Sequence, residues 1–399
     1  MLFAWILVGI AVFTILYAYA LYPLTLALLA RLRNRSRSAP PADWEWPEIS
    51  ITVPVYNEVG QVEDMLDTLL QLDYPRDRTQ ILVISDASDD GTDEKVQAYA
   101  HRGVELLRMP QRGGKTAAEN AARPLLRGAV IVNTDASIRI DAAALKPMIA
   151  RFHDPTVGLA SGRDVSVTRV GNELNVGEST YVGYEMWVRD LETRVHGIVG
   201  ASGCFYAIRR SLHQEIIPSA LSRDFAAALI TREHNLRPVT VNESVCYVPR
   251  VPSLKREYRR KVRTFTRGME TLYFKRALLN PLQYGIFSWM LFSHKVTRWF
   301  APWAALLGGI GLLALSINQP LARIAVAAIA LVFLLAALGW SWPEGKPIPR
   351  LLSIPAFMVA GNLAVMAATI AAMRGELNAV WEPTRRDAST RTAATVASR

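Results

Sequence analysis

Residues Met1 to Ala30 carry no charged side chain, and the run ends in the basic stretch Arg31, Arg33, Arg35 and Arg37. Roughly 20 apolar residues cross a bilayer as a helix, and a basic flank marks its cytoplasmic end. A cleaved signal peptide would put its basic residues before a shorter apolar run, so the segment reads as a retained transmembrane helix. Three further charge-free runs, Trp299 to Ala322, Ile324 to Pro343 and Leu351 to Met373, are each near crossing length. Ala277 to Ser293 is also uncharged, but Asn280, Pro281 and Gln283 break it, and it reads as an amphipathic segment lying in the membrane plane. Three C-terminal crossings leave Arg374, Arg385 and Arg386 opposite the first basic flank, against the positive-inside tendency. A crossing at Ala277 to Ser293, or re-entry of Leu351 to Met373 at Pro355 and Asn362, would reverse this, so the side of the tail stays open.

Between Trp44 and Arg276 the pattern changes to short β-rich runs alternating with amphipathic helices. Glu48 to Val55 reads as a strand leading through Tyr56, Asn57 and Glu58 into a helix with Val62, Met65, Leu66 and Leu69 at helical spacing. Gln80 to Ile84 is a second strand and runs into Ser85-Asp86-Ala87-Ser88-Asp89-Asp90-Gly91-Thr92. Val104 to Leu107 is a third, followed by Arg112-Gly113-Gly114-Lys115 opening a helix, a place suited to phosphate. Val130 to Asn133 is a fourth, ending at Thr134-Asp135-Ala136-Ser137. Polar loops at the carboxyl ends of parallel strands are where open α/β sheets bind ligands. Taken singly, an aspartate after a strand is more often a turn former or helix cap than a functional group. The expected division is a transmembrane helix 1–30, a basic and proline-containing linker 31–47, an α/β domain 48–276, an interfacial segment 277–298, transmembrane helices 299–373 and a polar tail 374–399.

Composition narrows the partners. The 399 residues are 51% hydrophobic and 20% charged, which excludes intrinsic disorder and fibrous classes and fits one soluble domain joined to a few membrane helices. A net charge of +10 suits nucleic acid, anionic lipid or a phosphate-bearing substrate. Nucleic-acid motifs are lacking, and a nucleic-acid role would leave the apolar spans unexplained. Gly113-Gly114-Lys115 lacks the Walker A spacing, so ATPase chemistry has little support. His196, His213, His234, Cys204 and Cys246 form no metal-ligand spacing and read as structural.

The ordered set PVYNE, ISDASDDGT, RGGKTAAENAA and NTDAS, behind an N-terminal membrane helix, resembles the membrane-bound family 2 glycosyltransferases, which include hyaluronan, chitin, cellulose and poly-N-acetylglucosamine synthases. The likeness continues through Gly197 to Leu212, Leu221 to Val239 and Arg259 to Gly268. It implies an α/β domain of GT-A type with a mostly parallel sheet that binds a nucleotide-sugar, with about four transmembrane helices, one N-terminal and three C-terminal. By resemblance, Asp86 holds the uridine side of the donor, with Pro54, Tyr56 and Glu58 lining the nucleotide pocket and Lys115 on the phosphate side. Asp135 matches the first aspartate of DxD, which binds a divalent cation (Mg²⁺ or Mn²⁺) on the diphosphate, and Asp224 matches the general base. Arg259, Arg260 and Arg263 take the place of the QxxRW segment; Arg259, Arg263 and Arg267 share a helix face at i, i+4 spacing, for which lipid headgroup contact is the other reading.

Three departures stand out. The second DxD aspartate is Ser137, the residue before Asp224 is Arg223 rather than an acid, and the QxxRW tryptophan is absent. Tyr181, Tyr184 and Trp187 on one helix are candidates for a replacement acceptor platform, the other reading being that they pack the sheet against the membrane-proximal helices. The implied activity is inverting transfer of a sugar from a nucleotide donor, UDP-linked, to a glycan or lipid acceptor. The implied location is the cytoplasmic face of the plasma (inner) membrane, in contact with the lipid bilayer and with partner subunits of an export complex. The alternative is a catalytically impaired nucleotide-sugar-binding subunit, suggested by Ser137.

Overall fold

Among the described residues eight strands make one sheet: β1 (Ile49–Val55), β2 (Thr79–Ser85), β3 (Val104–Arg108), β4 (Val130–Thr134), β5 (Arg139–Ile140), β6 (Val157–Val167), β7 (Phe205–Arg209) and β8 (Arg237–Pro249). The computed structural model describes residues 1–33, 39–167, 176–249, 253–343, 346 and 348–376; Arg35, Arg37, Arg385 and Arg386 lie outside them, as does the tail from 377 on. Strand order is β3-β2-β1-β4-β7-β6-β8-β5. β1 pairs in parallel with β2 and β4, β2 with β3, and β6 with β8; the β4–β7, β6–β7 and β5–β8 pairs are antiparallel.

Every residue of β1 is buried, as expected of a central strand covered on both faces. Ile49, Ile51, Val53 and Val55, at the period of two of a strand, enter a core with Val62, Met65, Leu66 and Leu69 from one helix and Leu145, Met148 and Ile149 from another. The intervening Ser50 and Thr52 are buried too and find partners in Gln80 Oε1 (2.6 Å) and Asn133 Oδ1 (2.9 Å). The chain moves outward from β1 through β2 to β3 and then returns to lay β4 on the other side of β1. That reversal opens a crevice at the carboxyl ends of β1 and β4, the position where doubly wound sheets take ligands.

By Cα proximity the chain divides into two units. The sheet unit gathers Ser38–Asn172 and Gly200–Val251; the other gathers Met1–Arg37, Glu173–Val199 and Pro252–Leu377. Of the stretch expected to form the α/β domain, the helices Val176–Val195 and Leu254–Phe274 fall in the second unit.

Among the described residues, the second unit holds four helices long and apolar enough to cross a membrane: Leu2–Leu32, Ile286–Ser316, Pro320–Trp340 and Arg350–Met373. The second starts well before Trp299, so residues 286–298 are helical and continuous with the apolar run. It ends at Ser316 because Pro320 occupies the first turn of the next helix, where a missing N–H costs nothing. Arg323, whose charge separates two apolar runs in the sequence, lies inside that next helix and donates to Ser316 O (2.7 Å) and Ile317 O (2.8 Å), capping the preceding one. Gly308 and Gly311 let Leu2–Leu32 approach closely: a Cβ added at Gly308 would lie 2.4 Å from Ala11 Cβ, and one at Gly311 2.7 Å from Ala4 O.

A buried polar cluster joins three helices of this unit. Glu192 accepts from Tyr22 Oη (2.6 Å) and lies 2.6 Å from His294 Nδ1, while His294 Nε2 lies 2.8 Å from Glu185 Oε1 and Arg298 Nη1 donates to Glu185 Oε2 (2.7 Å). Trp289 Nε1 donates to Tyr17 Oη at 3.0 Å.

Candidate active site

The crevice is built from loop to loop across the sheet. After β1, Asn57 turns the chain with φ 53°, and the backbone N–H groups of Asn57, Glu58 and Val59 donate to Ser88 Oγ (3.1 Å), Thr92 Oγ1 (2.9 Å) and Asp90 Oδ2 (3.1 Å) of the loop after β2. Burial works to raise the Asp90 carboxyl, but hydrogen bonds from Thr92 and Val59 hold it below the usual carboxylate range. Tyr56 lies under Arg112, whose guanidinium carbon is 3.8 Å from the ring centroid. Glu58 is buried and accepts from Gln61 Nε2.

Asp86 is 1% exposed, and both its oxygens are taken: Gly113 N donates to Oδ1 (2.7 Å) and Gly114 N to Oδ2 (2.8 Å). Gly114 has φ 85°, a conformation L side chains rarely adopt, which explains a glycine at this turn. The carboxylate thus braces the glycine loop that delivers Lys115 into the helix Lys115–Ala122.

Lys115 Nζ donates to Asp135 Oδ1 (2.5 Å) and Gly203 O (3.0 Å). Burial would lower its pKa, but the Asp135 and Glu119 carboxylates, the hydrogen bond to Asp135 and the Asp224 carboxylate raise it on balance, so the lysine stays charged. Asp224 sits in the first turn of the helix Arg223–Glu233 and accepts from Ser222 Oγ (2.6 Å). Gly203 is small because Asp224 is near: a Cβ there would lie 3.0 Å from Asp224 Oδ2. Asp86, Lys115, Asp135 and Asp224 are therefore linked through Gly113, Gly114 and Gly203 in one continuous set of contacts.

Sequence reasoning missed the layer beneath. Glu119, one turn after Lys115, is fully buried, and Arg223 Nε lies 3.0 Å from its Oε2 as an ion pair without good hydrogen-bond alignment. Burial pushes the Glu119 carboxyl up, against the lowering pull of Lys115 and Arg223. His213 beside them is buried with neither ring nitrogen partnered; burial and the charges of Arg223 and Arg123 push its pKa well down. The available signal was Glu119 at i+4 from Lys115, between Ala118 and Ala122 on the buried side of the helix.

The remaining expected site residues belong to the other unit. Arg259 is exposed, Arg260 makes two hydrogen bonds to Glu257 (2.8 and 2.7 Å), and Arg263 is half-buried on the same helix. Tyr184 donates to Tyr19 O (3.0 Å) and lies under Arg298, whereas Tyr181 and Trp187 are 43% and 45% exposed. Tyr184 is thus committed to packing, and the Trp187 ring lies against it with centroids 5.9 Å apart.

The family model described as Glycosyl transferase family 2 matches residues 50–217, which span β1 to β7 and the whole brace from Asp86 to Asp135. The chain carries a family 2 glycosyltransferase domain. A beta-monoglucosyldiacylglycerol synthase of Trichormus variabilis is 26% identical over 168 residues, 41% of this chain and 36% of that protein. Glycosyltransferase AglE of Haloferax volcanii is 30% identical over 91 residues, 22% of this chain and 30% of the other. The matched part thus spans about a third of the length of these curated relatives. Among solved structures, a mannosyltransferase from Pyrobaculum calidifontis in complex with GDP-Man and Mn²⁺ superposes with a TM-score of 0.70 at 22% identity, covering 93% of this chain and 99% of that one. The glycosyltransferase sheet is of GT-A type, and the four apolar helices, one N-terminal and three C-terminal, accompany it as the sequence implied.

Proposed function

We propose that this family 2 glycosyltransferase transfers a sugar, with inversion, from a UDP-linked donor to a glycan or lipid acceptor at the cytoplasmic face of the plasma membrane. The observation that carries the reading is the contact chain from Asp86 through Lys115 to Asp135 and Gly203, with Asp224 against Gly203. Lys115 supplies a fixed positive charge where a leaving diphosphate gains negative charge, and Asp224 supplies a carboxylate to take the acceptor proton. Nucleotide-sugar and lipid acceptor agree with what the relatives' names state.

Among the described residues no three of His, Cys, Asp and Glu gather closely enough to hold a metal ion. Asp135 nonetheless offers a partly exposed carboxylate, and a hard cation such as Mg²⁺ or Mn²⁺ completes its shell with diphosphate and water oxygens, so the donor set fits. When bound, the cation neutralises charge on the leaving diphosphate. The chain's own residues do the rest: Asp86 fixes the glycine loop, Lys115 orients Asp135, and Ser222 orients Asp224.

The test is the full-length protein in detergent, given UDP-glucose, UDP-galactose, UDP-N-acetylglucosamine or GDP-mannose with Mg²⁺ or Mn²⁺. Liposomes containing dioleoylglycerol or a short polyprenyl phosphate serve as acceptors, and nucleotide release and product size are scored. Transfer from a UDP-sugar supports the reading. Donor binding without any release favours the impaired subunit suggested by Ser137.

A further inference from the structure

Arg223, the residue before the proposed base, is 3% exposed and uses its guanidinium in three directions. Nη1 donates to Asn120 Oδ1 (2.6 Å), Nη2 to His213 O (2.9 Å), and Nε faces Glu119 Oε2 at 3.0 Å. Two further bonds run parallel to these: Thr116 Oγ1 donates to Leu221 O (3.0 Å) and Asn120 Nδ2 to Ile217 O (2.7 Å). Positions 116, 119 and 120 all lie on the helix that Lys115 opens, and their partners all lie on the segment that leads into Asp224. The rigid planar fork of an arginine suits such a three-way tie, which a lysine could satisfy only in part.

We propose that Arg223, seated on Glu119, is a positioning residue for Asp224: it ties the start of the base's helix to the lysine helix, and so fixes the base relative to the lysine–Asp135 pair. Arg223 touches no reacting atom, and with Glu119 it adds no net charge, so its effect is on geometry rather than on field. The inference rests on the reading of Asp224 as the base. It also gives a physical use to the arginine that stands here in place of the family's acid. Placement errors near 1 Å cost about 10²-fold in rate, which sets the scale of what the tie protects.

The experiment compares the full-length parent with Glu119→Leu/Arg223→Met, Arg223→Lys and Asp224→Asn, using the donor and acceptor that score highest for the parent in the panel above. Melting temperature, UDP affinity, donor KM and transfer kcat are read for each. Buried ion pairs replaced by apolar residues of similar size are often neutral for stability, so the double variant should melt within about 5 °C of the parent. It should bind UDP within about threefold, with kcat lower by about 10- to 100-fold. Arg223→Lys keeps the charge and loses part of the fork, and its kcat should fall about fivefold at unchanged donor KM. A folded double variant with parental kcat overturns the proposal, as does a loss confined to KM or UDP affinity. If the double variant does not fold, Arg223→Lys decides, and kcat within twofold of the parent overturns it. Parental turnover in Asp224→Asn sinks the base assignment itself, which separates that failure from this one.

Discussion

Replacing Lys115 by Met removes one of the two cations, Lys115 and Arg223, that face three carboxylates, Asp135, Glu119 and Asp224. The methylene stem is kept, but Asp135 Oδ1 and Gly203 O lose the Nζ that lies 2.5 and 3.0 Å away. Removing one partner of a fully buried pair costs about 3–5 kcal/mol. Here the side chains of Lys115 and Asp135 are 15% and 21% exposed, so solvent recovers part of this and the expected loss is about 3 kcal/mol. For a unit of this size that corresponds to a fall of about 6 to 12 °C in Tm. Because the lysine's pKa is raised in the folded state, its contribution is complete below the unfolded value of about 10.4 and is lost only as pH rises through the folded one. The deficit of the variant should therefore be the same at pH 6 and pH 8. Differential scanning fluorimetry of the purified proteins at both values measures it. A Tm within 2 °C of the parent, or a deficit that vanishes between the two pH values, would show that the pair does not hold the crevice together.

Gly203→Ala should lower kcat by about tenfold, since its Cβ would press on Asp224 Oδ2 at 3.0 Å, while UDP affinity stays parental; unaltered kcat would place the base elsewhere. Asp86→Ala should weaken UDP binding with or without Mn²⁺ by releasing Gly113 and Gly114, whereas Asp135→Ala should remove the Mn²⁺ dependence itself; equal losses in both titrations would contradict these roles. His213 has a depressed pKa, so the unfolded chain binds its proton first as pH falls below about 6.5, and stability drops with a limiting slope of about 1.4 kcal/mol per pH unit. His213→Leu should flatten the fall in Tm between pH 7 and pH 5, and an unchanged slope would count against it. Products should carry one or a few sugars, because the acceptor tryptophan of the processive synthases is missing and Ile324 to Leu338 offers almost only aliphatic side chains to a sugar channel; size exclusion of product from a radiolabelled donor would refute this by finding chains of many units.

The four junctions after β1 to β4 were legible because buried parallel strands are continuous Val/Ile runs that stop at a polar loop, and the order of those loops carries the chemistry. Membrane-length helices were legible from missing charge alone. What the sequence concealed was how charged groups are spent. Asp86 reads as a ligand-facing carboxylate, and the sequence did not show that its oxygens also accept from two glycine amides. Glu119 and Arg223 lie far apart in the chain and meet only because the helices Lys115–Ala122 and Arg223–Glu233 come together in the fold. The helix Val176–Val195 carries enough charge to read as a cover for the sheet, but Glu185 and Glu192 are satisfied by His294 and Arg298 from a distant apolar segment. Periodicity has no access to such partners. The break at Pro320 was masked by Arg323, because a charge inside the first turn of an apolar helix looks like its boundary.

The cluster around Glu192 and His294 also constrains the order of biosynthesis. Tyr17 and Trp289 are 272 residues apart in sequence. At about 5–20 residues per second, the first helix waits about 15 to 55 s after its own synthesis for that partner to be made. During this interval every strand of the sheet is made, while Tyr22 and Glu192 still lack His294. The helical unit is thus the last part of the protein to close, and truncation before residue 286 leaves a complete sheet and an N-terminal helix that lacks its Trp289 and Gly308 contacts, the form that quality-control proteases would be expected to meet first.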